Sequence, residues 1–387
     1  MTVGRTPAIT MRQWYFEEAH GHYDIDLGDS YVGGSRLSDH TMPADCLLDY
    51  GNGRGTTPLR SVVARLYGRD PSHIGITHGG QEALYLLYRT LFSAGDHAVV
   101  FTPGWEQAEP VLSRAGCRVD AVGVTPDGRP DVAAALRRIG PRTRAVVVNS
   151  PCNPTGRQIT AAGLRDLAEA LRPHGGHLLL DEEYVADLGA DSLVGAYEHA
   201  ISVSSVSKVY GAPGLRVGWM CGPPGVVDAA MQYKHFTTVT NSVLLERLAA
   251  GMLERSEDHV RRYRQLIAEG LRTLEPWVDR HRGTLRMWQP EGTPYAWLHT
   301  PGLPDSLEFC RDVLHRQGVL LMPAEVFGAE HGIRLTFARD PDVLAEGLRR
   351  IETVLAGRPT AAGPATPTAA EGGAGTQRAG SNDDGTA

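Results

Sequence analysis

From residue 58 onward the chain alternates between two hydrophobic rhythms. Residues 58–68, Pro-Leu-Arg-Ser-Val-Val-Ala-Arg-Leu-Tyr-Gly, repeat apolar positions at helical spacing, with a proline at the start and a glycine at the stop. Residues 80–92 and 161–172 repeat that spacing. Between such stretches lie short apolar runs at 74–77, 97–102, 118–124, 144–148, 177–180, 201–206 and 217–221. Runs that are apolar throughout predict strands buried on both faces. Strands alternating with helices predict a mostly parallel sheet with helices on both faces, so the expected fold class is α/β.

The rhythm changes further on. Residues 243–275 form one long helical stretch, heavily charged at 254–264. Residues 284–356 then give strands at 295–298, 319–322 and 333–337 and helices at 307–317 and 341–355, an α+β pattern. Upstream, residues 11–42 mix Trp14, Tyr15 and Phe16 with acids and glycines too irregularly to make a domain. After Arg358 only Ala, Gly, Pro, Thr and Ser dominate, and such a tail cannot bury enough surface to order itself. The expected organisation is an amino-terminal arm contributing to a smaller domain (1–44), a large domain (45–257), a smaller carboxyl-terminal α+β domain (258–357) and a disordered tail (358–387).

Composition narrows the partners. A chain of 387 residues, 42% hydrophobic and 21% charged, has ample core and exceeds what one core usually serves. A net charge of −7 argues against nucleic acid and permits a cationic small substrate. Cys46, Cys117, Cys152, Cys221 and Cys310 are scattered without a Cys-x-x-Cys pair, which fits a reduced cytoplasm and offers no metal site. The first thirty residues carry no long apolar run, so neither a signal peptide nor a membrane span is expected, and the location expected is cytoplasmic.

In open α/β sheets ligands sit at the carboxyl ends of strands, so the residues after each run matter most. After 201–206 comes Lys208, with Ser205 three positions before it and Arg216 eight after. A lysine at a buried strand end is costly unless paired or neutralised, and one use for it is a Schiff base with a carbonyl. Ser205 and Arg216 suit a dianionic phosphate. After 74–77, Gly79 and Gly80 open a helix whose free N–H groups favour phosphate, although a glycine turn before a helix is common. After 97–102, Trp105 either stacks on a flat cofactor or belongs to the core. After 144–148, the turn Asn153-Pro154-Thr155-Gly156 offers an amide to a ring oxygen. After 177–180 come Asp181, Glu182, Glu183 and Tyr184. An acid there needs a cation, and a protonated pyridine nitrogen is one; Tyr184 supplies a hydroxyl for a phenolic oxygen. Together these groups point to pyridoxal 5'-phosphate. Arg334, alone in the apolar strand at 333–337, holds either a protein acid or the α-carboxylate of an amino-acid substrate. The glycines of 51–55 lack the Gly-x-Gly-x-x-Gly spacing, which removes the support for a nicotinamide dehydrogenase.

With these residues in place, roughly 45–357 resembles a fold-type I, pyridoxal-phosphate-dependent enzyme of the class I/II aminotransferase family. The resemblance implies that Lys208 carries the cofactor and that Asp181 pairs with the ring nitrogen. It places Asn153 and Tyr184 at the phenolic oxygen, Trp105 on the ring, and Gly80, Gln81, Ser205 and Arg216 at the phosphate. It further implies a homodimer in which Tyr50, in the Tyr-x4-Gly-x3-Leu-Arg pattern of 50–60, reaches the partner's phosphate. Arg334 becomes the carboxylate clamp. Two departures stand out. Glu183 occupies a position usually small or apolar, and the usual glycine-bearing amino-terminal segment is replaced by 14–37. That segment is similar to the capreomycidine- and streptolidine-forming cyclase branch, which acts on hydroxylated arginine.

Two reactions share a first step, removal of the α-proton of an amino acid by Lys208. Reprotonation leads to transamination. Loss of a β-hydroxyl followed by attack of a guanidine nitrogen leads to a cyclic amino acid of the kind used in peptide or nucleoside antibiotic biosynthesis. Acids that hold a guanidinium and protonate a leaving hydroxyl favour the second, and Asp24, Asp26, Asp29 and Glu183 are the candidates. Each can instead cap a helix or face solvent. The cyclisation reading is favoured, with an ordinary aminotransferase as the alternative. A catalytically inactive regulator of the same fold is disfavoured because too little sequence precedes 45 for a helix-turn-helix domain.

Overall fold

The computed structural model describes residues 9–41, 44–303 and 305–357. The expectation of a disordered tail at 358–387 lies outside these residues. The arm contributes a short strand, β1 (Ile25–Asp26), and is followed by helix α1 (Thr57–Tyr67), which starts on a proline and stops at Gly68. Strand β2 (Ile74–Thr77) then leads into helix α2 (Gly79–Leu91). The chain continues through β3 (His97–Phe101), β4 (Arg118–Val122), β5 (Thr143–Asn149), β6 (His177–Asp181), β7 (Ala200–Ser205) and β8 (Gly218–Cys221).

These seven strands form one sheet in the order β2-β8-β7-β6-β5-β3-β4. All pairings are parallel except those of β8, which runs antiparallel to both β2 and β7. The alternation of side chains shows why the runs are apolar throughout. Leu178 and Leu180 enter one core and Leu179 the other; Val99 and Val146 enter the first, Ala98 and Ala145 the second. Helices cover both faces, as expected of strands with no polar side.

The smaller sheet is antiparallel. β9 (Arg286–Trp288), β10 (Tyr295–His299), β12 (Met322–Pro323) and β13 (Gly332–Thr336) lie in the order β12-β13-β10-β9. β1 pairs in parallel with β11 (Val319–Leu320), so the arm is stitched to this part of the molecule. The arm is more ordered than its composition suggested. Residues Arg12–Glu18 form a π-helical turn that buries Trp14 completely. Its indole Nε1 donates to the Leu321 carbonyl at 2.9 Å, which satisfies the one polar atom such burial would orphan. The helical stretch at 243–275 is two helices, Val243–Glu254 and Ser256–Arg280, meeting at Arg255.

Candidate active site

The carboxyl ends of the large sheet, the arm and β13 enclose a cavity of about 480 Å³. Its sheet side is lined by Asn149 at the end of β5, Asp181 at the end of β6, Lys208 beyond β7, and Gly80 and Gln81 at the start of α2. Trp105, beyond β3, donates its indole Nε1 to Gln81 Oε1 at 2.8 Å, which fixes the ring at the cavity edge.

The three consecutive acids at the end of β6, Asp181 to Glu183, separate by side-chain alternation. Glu182 turns away and is fully buried. It accepts bonds from Ser192 Oγ at 2.6 Å, the Leu193 N–H at 2.6 Å and Ser202 Oγ at 2.5 Å. That satisfied carboxylate is structural. Asp181 and Glu183 line the cavity instead. Burial, reinforced by the neighbouring Glu183 charge, pushes the Asp181 carboxyl up to about 7. Without a cation beside it, ionised Asp181 is therefore out of place.

At the amino end of α2 the backbone forms an anion cradle. Gly79 has φ of +75°, and a Cβ there would lie 2.5 Å from Arg216 Nη2, so only glycine lets the guanidinium close over the turn. A Cβ on Gly80 would lie 2.1 Å from Glu183 Oε1. Ser205 Oγ donates to Glu183 Oε2 at 2.6 Å. The cradle thus holds an anionic group in this structure, the Glu183 carboxylate. Burial pushes that carboxyl up, opposed by the Ser205 bond and by Lys208 and Arg216.

Opposite the cradle the arm delivers Ser30. Lys208 Nζ and the Tyr184 hydroxyl each donate to its Oγ at 3.0 Å. A serine oxygen has two acceptor sites, so one side chain joins both groups. Arg334 is buried on β13. It donates through Nη1 to Asn153 Oδ1 at 2.6 Å and through Nη2 to the Gly28 carbonyl, between the rings of Tyr295 and Phe327. No carboxylate among the described residues forms an ion pair with it, and its Nε has no hydrogen-bond partner among them. The protein-acid alternative for Arg334 is thus not the arrangement found. Arg334 also engages only the acceptor end of the Asn153 amide; a ring oxygen would use the donor end.

The arm acids do not act as a group. Asp24 does not line the cavity. It lies at the surface, its side chain 64% exposed, and accepts from Arg350 Nη1 at 2.7 Å, which holds its carboxyl below the usual range. Asp26 folds the turn, accepting the Gly28 and Asp29 N–H groups at 2.8 Å each, and burial pushes its carboxyl up. Neither Asp24 nor Asp26 lines the cavity, and each has its Oδ1 engaged by the protein, so the structure does not bring them to the site as expected substrate ligands. Asp29 does line the cavity and accepts from the Tyr15 hydroxyl at 3.3 Å. Tyr50 is 84% exposed and does not line the cavity of its own chain.

Sequence reading missed Ser30, Asn149 and Tyr15. Asn149 Nδ2 donates to the Asp181 carbonyl at 3.0 Å, and its Oδ1 accepts the Asn153 N–H at 2.6 Å, tying two strand ends together. Its position at the last residue of β5 was a usable signal. Ser30 had none, because nothing in a serine inside an irregular arm marks it as facing a lysine 178 residues away. Arg339 was missed too. It binds the carbonyls of Asp26, Asp29 and Tyr31 and so clamps the arm in place.

The sequence model of aminotransferase class I and II matches residues 45–351, and the chain belongs to that family. Capreomycidine synthase from Streptomyces vinaceus is 30% identical over 371 residues, covering 90% of this chain and 94% of that protein. Aspartate/prephenate aminotransferase from Thermus thermophilus is also 30% identical, over 329 residues, covering 79% of this chain and 83% of that one. The solved structure of the pyridoxal-phosphate-dependent cyclase OrfR superposes with a TM-score of 0.79 at 28% identity, covering 86% of this chain and 93% of the other. The family uses pyridoxal 5'-phosphate. The residues present fit it: a lysine amine, a buried carboxylate in want of a cation, an edge-held indole and a glycine cradle that already accepts an anion. When bound, the cofactor supplies an electron sink for charge developing at the substrate α-carbon.

Proposed function

We propose that this enzyme eliminates a hydroxyl from, and cyclises, a hydroxylated arginine-type amino acid, as a step in peptide or nucleoside antibiotic biosynthesis. The observation that carries the reading is the arm. Ser30 and Asp29 bring a hydroxyl and a carboxylate into the cavity beside Lys208, through a segment lying wholly before the matched family region. Likeness to capreomycidine synthase supports it, because that match spans 371 residues against 329 for the aspartate/prephenate aminotransferase at equal identity.

In this reading Asp181 holds the ring nitrogen, Trp105 covers the ring, and Asn153 and Tyr184 meet the phenolic oxygen. Gly79, Gly80, Gln81, Ser205 and Arg216 take the phosphate. Arg334 binds the substrate α-carboxylate, since it is a buried guanidinium with no ion-paired carboxylate among the described residues. Lys208 Nζ takes the α-proton. Asp29, held by Tyr15, receives the substrate guanidinium, while Glu183 lies farther round the same cavity. The working form is a homodimer to which Tyr50 contributes across the interface; its exposure beside exposed Leu47 and Leu48 supports this.

Transamination is the second reading, favoured by the aminotransferase relatives. Incubation of the loaded protein with 3-hydroxyarginine, with and without a 2-oxo acid, separates the two. A cyclic product formed without any 2-oxo acid is expected. Turnover that requires the 2-oxo acid and yields no cyclic product overturns the cyclase reading.

A further inference from the structure

Glu183 is the anomaly of the cavity. Its carboxylate sits where the fold presents donors for an anion. Ser205 Oγ bonds to Oε2 at 2.6 Å, and Oε1 reaches the space beside Gly80 where a Cβ would lie 2.1 Å from it. Arg216 closes over the neighbouring Gly79. The same Ser205 hydroxyl also accepts the Ser207 N–H at 3.0 Å, which fixes its oxygen and commits its one proton to Glu183.

A phosphate entering the cradle needs that proton and the helix N–H groups. It also brings two negative charges, which the Glu183 carboxylate repels at close range. We propose that the Glu183 carboxylate is a built-in competitor for the cofactor phosphate: it satisfies the cradle in the cofactor-free chain and must be displaced for the phosphate to dock. Glu183 therefore lowers cofactor affinity while keeping the cofactor-free site folded. The inference requires the cofactor but neither choice of reaction, so it stands or fails apart from the cyclase reading.

Cofactor-free protein, stripped and dialysed, tests it by titration with pyridoxal 5'-phosphate, followed by absorbance and by quenching of tryptophan fluorescence. Breaking a charge-assisted bond and removing a like charge corresponds to roughly a ten- to hundredfold change. Glu183→Ala and Glu183→Gln are expected to lower the Kd for pyridoxal 5'-phosphate by that factor. Pyridoxal, which lacks the phosphate, is the control, and its Kd is expected to stay within about twofold of wild type. Inorganic phosphate is expected to compete with pyridoxal 5'-phosphate more effectively in both variants than in wild type. Unchanged or weaker binding of pyridoxal 5'-phosphate by both variants overturns the proposal. An equal gain for pyridoxal also overturns it, because Glu183 would then act on the ring rather than on the phosphate.

Discussion

Two walls face each other across the cavity, and they are built on different principles. The sheet wall takes its groups from strand ends and a helix start, with Asn149, Asp181, Lys208 and Gly80 each on or beside a regular element. The arm wall takes Tyr15, Asp29 and Ser30 from a segment with one π-helical turn and a two-residue strand. That segment is held from outside by Trp14 in the core, by β1 on β11 and by Arg339 on three of its carbonyls. A rigid sheet fixes the groups proposed to hold the cofactor, which either reaction would need. A clamped loop can change its contacts without disturbing the sheet, which makes the arm the place where the proposed reading lets reactions diverge.

The division predicts that sheet-wall changes abolish chemistry while arm changes redirect or slow it. The largest effect is expected from Asp181→Asn, which removes the proposed charge partner of the ring nitrogen; turnover should fall by about 10³-fold or more. The same variant has a second, opposite signature. In the cofactor-free chain the Asp181 carboxyl is pushed up to about 7. Between its ordinary value of 3.8 and about 7 the folded chain therefore keeps a proton that the unfolded chain has released. Stability from this group is full at low pH and is lost as pH rises through about 7, by a few kcal/mol at most. Cofactor-free Asp181→Asn is thus expected to unfold at a higher temperature than wild type at pH 8, with the gap closing near pH 4. A wild-type protein equally stable at both ends of that range, relative to the variant, breaks the assignment.

Next in size is Arg334→Lys. It keeps the charge but loses the forked geometry, so KM for an amino acid should rise by roughly 10²-fold while kcat changes much less. A fall confined to kcat would move Arg334 out of the carboxylate role. On the arm, Trp14→Ala removes a fully buried indole and should cost about 3 kcal/mol in thermal or denaturant unfolding. If the arm is what selects the reaction, its products should shift toward those of transamination, whereas an unchanged product ratio separates the arm from specificity. The smallest effect belongs to Ser30→Ala. Losing one hydrogen bond to Lys208 Nζ should lower kcat about tenfold and move the pH profile of kcat, with Ser30→Thr restoring part of both. A pH profile identical to that of wild type would reduce Ser30 to packing.

The same contrast explains what the sequence made legible. Strand ends follow from apolar runs, so Lys208, Asp181, Asn153, Arg216 and Gly80 could be named from spacing alone, and the structure gathers them at one end of the sheet. β8 ran opposite to the other strands, a reversal that a short apolar run does not encode. The fate of the acids was opaque for another reason. Asp24, Asp26 and Asp29 look alike in sequence, yet one pairs with Arg350 on the helix Pro341–Ala356, one closes its own turn, and one enters the cavity. Only the first of these depends on a contact hundreds of residues distant; the other two turn on how the arm itself folds, which its irregular pattern does not show. Glu183 was legible as unusual, but its reach into the anion cradle depended on the positions of Gly80 and Ser205.

The claim beneath all of this is that Lys208 is where the cofactor attaches. The chain offers an unusually clean test, because its sequence contains two lysines, Lys208 and Lys234. Lys234 is fully buried with an unbonded Nζ among the described residues, and burial pulls its ammonium down, so it is a real competitor. Borohydride reduction of the loaded protein followed by peptide mass mapping decides between them. The added mass is expected on the peptide carrying Lys208. Its appearance on Lys234, or on neither lysine, would contradict the account.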